Sequence, residues 1–198
     1  MLNFRRPPML RAAALAAASL LASSAYAGPA KDTVESMHRA AQKDDLEKLD
    51  EHVDYEAVAK SALGKHWQEF SEAERAAFVS NFRKVVRRAY GKGLSGKKKQ
   101  SLQFNGESSS DKGQLVHTKV LVKPGEPELG IDYLMSCKVN DCQLVDVITD
   151  GSSLVASWKR MFRRILKKHG KAELLARSEK KPTPTSDRGG TLRRFGPR

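Results

Sequence analysis

Apolar residues recur first at helical spacing and then, past a glycine-rich break, at every second position. Over residues 31–50, Val34, Met37 and Ala41 share a face and Asp32 or Thr33 can cap, which predicts one helix. A second helix is predicted from about Tyr55 to Leu63, with Asp54 as N-cap and Gly64 as its stop. Ser71-Glu72-Ala73-Glu74 is a capping box, in which hydroxyl and carboxylate each satisfy the other residue's orphan amide. The helix it opens carries Phe78, Phe82, Val85, Val86 and Ala89 on one stripe, and Gly91, Gly93 and Gly96 break the chain after it.

The period then falls to two. Ser101–Asn105 is a candidate strand. Over Leu115–Lys123, Val116, Thr118, Val120 and Val122 face one way, and His117, Lys119 and Lys123 mostly the other. Pro124–Pro127 reads as a turn, and Ile131–Cys137 puts Ile131, Tyr133 and Met135 on one face. Cys142–Thr149 is apolar on both faces, which predicts a strand covered on both sides. Asp150-Gly151-Ser152-Ser153 then opens a long helix with the stripe Leu154, Val155, Trp158, Phe162 and Ile165. Gly170 ends it, and a short helix follows over Ala172–Arg177. The order predicts an α+β fold: a twisted antiparallel sheet of about four strands wrapped by helices, which closes a core or leaves an apolar cavity.

The two ends read differently. Arg5, Arg6 and Arg11 precede an uncharged stretch, Ala12–Ala25, too short for the roughly 20 apolar residues of a membrane span. Ala25-Tyr26-Ala27 is a small-x-small cleavage site, so residues 1–27 are expected to be a signal peptide cleaved after Ala27. The secretory route fits better than the twin-arginine one. Residues 28–177 then form one domain, and 178–198, rich in Pro, Thr, Ser, Gly and Arg, are expected to be a disordered basic tail.

Export changes the meaning of charge and of cysteine. Without the signal's three arginines, the 36 Lys and Arg become 33 against 23 Asp and Glu, a net +10. Outside the cytoplasm such a chain is drawn to lipid headgroups or other envelope polyanions rather than nucleic acid. Arg83–Lys99 and Lys159–Lys171 each hold a run of Lys and Arg with no acidic residue. Most such runs are solvated helix faces, although a polyanionic partner also fits. Cys137 and Cys142 flank a candidate turn and make a disulfide candidate across a hairpin; two thiols alone are a poor metal site.

Catalytic signatures are missing from the sequence. His38, His52, His66, His117 and His169 show no metal-ligand spacing, and no serine sits in a nucleophile elbow. Asp132 and Asp146 fall within strands; sharing an apolar cavity would raise their pKa values toward acid–base work. Exposure or ion pairing is the commoner fate of strand aspartates.

The ordered set of motifs resembles the MlaC family, also called the toluene-tolerance auxiliary family. The resemblance runs through Tyr55–Trp67, with its Leu63-Gly64-x-x-Trp67 step, and through Glu74-Arg75 ahead of Phe78 and Phe82. It continues in Tyr90 with Leu94, Ile131-Asp132-Tyr133, and the junction Leu144–Val155, then Phe162. Trp158-Lys159 stands where the family usually has tyrosine-arginine, and Cys142 where a tryptophan is common.

The resemblance implies a monomeric periplasmic carrier that moves phospholipid between outer and inner membranes. Its implied partners are an outer-membrane lipoprotein–porin complex and an inner-membrane ABC transporter complex. It implies no cofactor other than bound phospholipid as cargo. The acyl chains would lie in a cavity walled by Leu63, Trp67, Phe78, Phe82, Val120, Val122, Ile131, Tyr133, Val147, Val155 and Trp158. Arg87, Arg88, Lys92 and Lys159 would face headgroup or membrane. A hopanoid or other polycyclic lipid is the alternative cargo. An enzyme on a cystatin-like cone, using Asp132, Asp146 or His117, is the alternative of a different class.

Overall fold

The computed structural model describes residues 28–94, 101–121, 128–139 and 141–179; of 88–94 and 121 only the backbone is described. The expected signal peptide, Val122, the Pro124–Pro127 turn and the tail from 180 onward lie outside these residues.

The predicted first helix is two. α1 (Pro29–Gln42) starts earlier than predicted, with Gly28 as N-cap, so Thr33 lies inside it and donates its hydroxyl to the Pro29 carbonyl at 2.8 Å. The chain breaks at Asp44, whose φ of 55° an aspartate tolerates better than most residues. Asp45 then caps α2 (Leu46–Glu51) by accepting the Lys48 amide at 3.0 Å. α3 (Tyr55–Leu63) has Asp54 as its cap, accepting from Ala57 N at 2.8 Å. It ends at Gly64, at φ 58° and ψ −130°, followed by a 3-10 turn over Gly64–Glu69. The capping box forms at α4 (Glu72–Leu94): Ser71 N donates to Glu74 Oε2 at 2.8 Å, and Glu74 N to Ser71 Oγ at 3.3 Å.

Five strands form one antiparallel sheet in sequential order: β1 (Ser101–Ser110), β2 (Gly113–Leu121), β3 (Leu129–Lys138), β4 (Asp141–Thr149) and β5 (Ser152–Ser153). β5 falls where a helix start was expected. Asp150 and Gly151 both have positive φ, 47° and 74°, the signature of a two-residue hairpin turn, and Ser153 pairs back to Ile148. The β1–β2 turn brings Gly113 so close to β3 that a Cβ there would lie 2.2 Å from the Met135 carbonyl oxygen; only glycine fits.

Alternation sets the inner face. Val116, Thr118 and Val120 are buried with Tyr133, Met135 and Leu144, and the Thr118 hydroxyl is satisfied by the Ile131 carbonyl at 2.6 Å. Opposite Leu134 and Met135 the register skips Val145, so β4 carries a one-residue bulge. Cys137 and Cys142 are paired directly across the β3–β4 hairpin and joined by a disulfide, with Cα atoms 4.0 Å apart.

α5 (Leu154–Glu179) folds back over the inner face and is interrupted, as expected, at Gly170, whose φ of 78° and ψ of −178° are not helical, and a short helical stretch follows. That stretch ends at Glu179, a little past the predicted helix end at Arg177. Ser178 donates to the Leu175 carbonyl and receives Asn81 Nδ2 at 3.4 Å. Helices and sheet close over a core of Phe70, Phe78, Phe82, Phe162 and Leu174 with the buried strand residues.

Candidate functional site

Between β4, α3 and the start of α5 lies an apolar slot of about 20 Å³. Val53, Tyr55 and Val58 form one wall, Leu144, Val145, Asp146 and Val147 a second, and Leu154, Val155 and Trp158 a third; Val86 of α4 contributes as well. Four consecutive strand residues line it because the bulge at Val145 interrupts alternation. Two main-chain bonds lock β4 to the α2–α3 connection: Asp54 N donates to Leu144 O at 3.1 Å, and Leu144 N to His52 O at 2.8 Å.

Asp146 supplies the slot's carboxylate, and its acceptor sites serve the start of α5. Oδ1 accepts the amides of Val147 at 2.8 Å and Val155 at 3.0 Å, and Oδ2 accepts the Ser153 hydroxyl at 2.5 Å. Ser153 Oγ in turn accepts the Ala156 amide at 2.9 Å. A carboxylate at a helix N-terminus is favoured by the helix dipole.

Tyr55 is the second polar group. Its hydroxyl donates to Asp50 Oδ1 at 2.6 Å, and burial foremost, then that bond, pushes its pKa far above the ordinary value. Asp50 Oδ2 holds Arg87 through Nε at 2.7 Å and Nη2 at 2.5 Å, and the Arg83 guanidinium lies over the Tyr55 ring at 5.1 Å. Arg87, expected to face a headgroup, is therefore engaged by an acid from α2.

Of the expected wall residues, Val147, Val155 and Trp158 meet in the slot. Leu63, Trp67, Phe78 and Phe82 are buried in the adjoining helical core. Phe82 and Trp158 meet nearly at right angles with centroids 4.6 Å apart, as do Phe78 and Phe162 at 5.4 Å. Val120 and Tyr133 are buried in the sheet's inner face and Ile131 packs half-buried against the core; burial pushes the Tyr133 hydroxyl up to about 12. Val122 lies outside the described residues, as do the side chains of Arg88 and Lys92 at the end of α4. Lys159 lies over Gly64, where a Cβ would stand 2.9 Å from its Cε. The residues missed were chiefly Val53, Tyr55, Val58, Leu144 and Val145. Tyr55 and Val58, three apart on one helix, carried a readable signal, whereas the bulge at Val145 had none.

The two candidate aspartates are tied up separately. Asp132 Oδ1 sits 2.9 Å from His117 Nδ1, and His117 Nε2 2.7 Å from Ser108 Oγ, on the sheet face turned away from the Tyr133 and Met135 side chains. Asp146 caps α5, so the pair shares no cavity of the kind acid–base work needs. Among the described residues, no group of three or more His, Cys, Asp or Glu is placed to hold a metal ion, and no helix is long and apolar enough to cross a membrane.

A helix-wrapped, open antiparallel sheet with an apolar slot between sheet and helices defines an α+β fold. Residues 30–180 match the MlaC protein family, and the chain belongs to it. Among solved structures it resembles the phospholipid-binding protein from Ralstonia solanacearum determined in complex with a phospholipid. That likeness has a TM-score of 0.63 at 19% identity and covers 77% of this chain and 97% of the other. Comparison with curated proteins gives no match.

Proposed function

We propose that this protein is a periplasmic lipid carrier that takes phospholipid acyl chains between β4, α3 and α5 and shuttles them between the two membranes. The observation that carries the reading is an apolar slot, in a member of the MlaC family, built at the contact of sheet and helices. The Ralstonia solanacearum relative in fold, described as binding a phospholipid, supports the cargo class. A phospholipid is nearly insoluble because each methylene left in water costs about 0.8 kcal/mol. A dry site of matching area removes that cost, and binding needs no reactive group.

About 20 Å³ accommodates little more than one water molecule. Loading therefore requires α5 and α3 to part from β4, and the acyl chains then replace contacts that the walls otherwise make with each other. An outer-membrane lipoprotein–porin complex and an inner-membrane ABC transporter complex are the partners that family membership supports for the two ends of the journey. Mass spectrometry of lipid extracted from the denatured, exported protein tests the carrier role and reads the headgroup. Phospholipid is expected at close to one molecule per chain; a polycyclic lipid would change the cargo. No lipid after purification, and none after incubation with liposomes, would end the carrier reading.

A further inference from the structure

The outward face of α5 repeats one kind of charge. Arg160, Arg163, Arg164 and Lys167 follow the i, i+3, i+4, i+7 spacing of a single helical stripe, and Lys168 extends it by one residue. All five are exposed, and among the described residues none has a carboxylate partner; Arg160 donates to the Ser157 hydroxyl at 2.9 Å. Like charges three and four residues apart repel along the whole stripe, which disfavours the helix unless an anion screens them. Several cations elsewhere are paired, Arg87 with Asp50, Lys119 with Glu128, Lys171 with Glu74 and Arg177 with Glu173, whereas, among the described residues, the stripe gathers five without a carboxylate on one helix face. Met161, an exposed large apolar side chain at 38%, sits at the edge of the same face.

We propose that this face of α5 is a docking surface for a membrane containing anionic phospholipid. The proposal rests on the carrier reading, since it gives the carrier a way to rest on the bilayer it serves. A broad arc of unopposed cations about 12 Å long suits a flat array of phosphates, with long side chains snorkelling among the headgroups and Met161 reaching the interface. A protein partner read by specific pairs would be met by mixed charges and fixed ion pairs. The opposite side of the helix carries Val155 and Trp158, so docking leaves that wall of the slot one helix diameter, about 10 Å, from the bilayer surface.

The test is co-sedimentation of the exported chain with phosphatidylcholine vesicles, alone and with about one third phosphatidylglycerol. Binding is expected to the mixed vesicles at about 50 mM salt, with a loss of at least tenfold at about 500 mM, and none to phosphatidylcholine alone. Each surface cation contributes about fivefold, so a variant combining Arg163→Glu, Arg164→Glu and Lys167→Glu should bind more than about a hundredfold more weakly. Arg163→Lys with Arg164→Lys keeps the charge and should keep the binding. These side chains are exposed, and circular dichroism confirms the fold of each variant. The basic tail is present in all variants, so the difference reads α5 alone. Failure of the wild type to bind anionic vesicles, or equal binding by the Glu variant, overturns the proposal. Lipid content is measured on the same preparations. A Glu variant that keeps its bound lipid but loses vesicle binding supports docking by α5. Preparations without lipid that still bind anionic vesicles through α5 support docking and count against the carrier.

Discussion

Asp146 accepts the Val155 amide at 3.0 Å and so joins the middle of β4 to the first turn of α5. With the Ser153 hydroxyl on its other oxygen, one carboxylate holds strand, turn and helix together. Two walls of the slot meet at this point.

Asp146→Asn removes the charge at the helix terminus and one acceptor, leaving Ser153 or an amide poorly satisfied. A loss of about 1–2 kcal/mol is expected, in line with the removal of a good N-cap. Urea unfolding followed by circular dichroism measures it, and an unchanged midpoint would show that the junction holds without the charge.

Filling the slot should block cargo while sparing the fold. Val147 is half-buried in its wall, and Val147→Trp adds bulk at a cost of about 1–3 kcal/mol through overpacking. The expected result is a folded protein with at least severalfold less extracted lipid than wild type. Lys119→Ala, on another strand and exposed, is the control that should load normally.

Opening the hairpin crosslink should destabilise without touching the slot. Replacing Cys137 and Cys142 by serine frees a short loop, for which the chain-entropy account gives about 2 kcal/mol. Serine at 142 also places a hydroxyl where the cysteine is 2% exposed. Thermal melting with and without reductant reads the effect, and reductant should leave the serine variant unmoved.

His52 gives a pH dependence with a definite sign. Burial, foremost among its causes, lowers its pKa from 6.5, and a ring nitrogen lies 3.0 Å from Ser36 Oγ. The unfolded chain therefore takes up the proton first as pH falls, so this contribution is full above 6.5 and declines below it. Stability measured from pH 7.5 to 5 should fall more steeply for the wild type than for His52→Gln. Parallel curves would remove His52 as the cause.

Much of this fold is legible in the sequence, for physical reasons that differ by element. Local chemistry specifies caps and faces, so the Ser71–Glu74 box, the Asp54 cap and the alternation of Val116, Thr118 and Val120 formed as expected. Asp150-Gly151-Ser152-Ser153 reads as a helix start, and Ser153 does cap α5, but the Asp-Gly pair also turns a hairpin that the reading missed, so Ser153 pairs with Ile148 as well. Asp44 broke the first helix at a position where hydrophobic periodicity continues on either side. The slot was less legible. A one-residue bulge at Val145 leaves no mark in an already apolar run, and the partner of Arg87 lies 37 residues away. Charge runs read along the chain could not separate that paired arginine from the unpaired stripe on α5.

Lys171 lies just past the Gly170 bend and reaches both Glu74 Oε2 at 2.8 Å and the Glu69 carbonyl at 3.2 Å. That bond is also the leading reason the Glu74 pKa lies below the usual carboxylate range. The far end of α5 is thus pinned to the start of α4, while its near end hangs on Asp146 and Ser153. The break at Gly170 stands beside that pin and is the joint of α5. In the carrier reading, parting α5 from β4 turns the helix about Gly170, and a small rotation there gives the largest gap at Leu154 and Val155. The stripe of cations, Arg160 to Lys168, lies between that joint and the end that must lift, on the part of α5 that moves in the carrier reading.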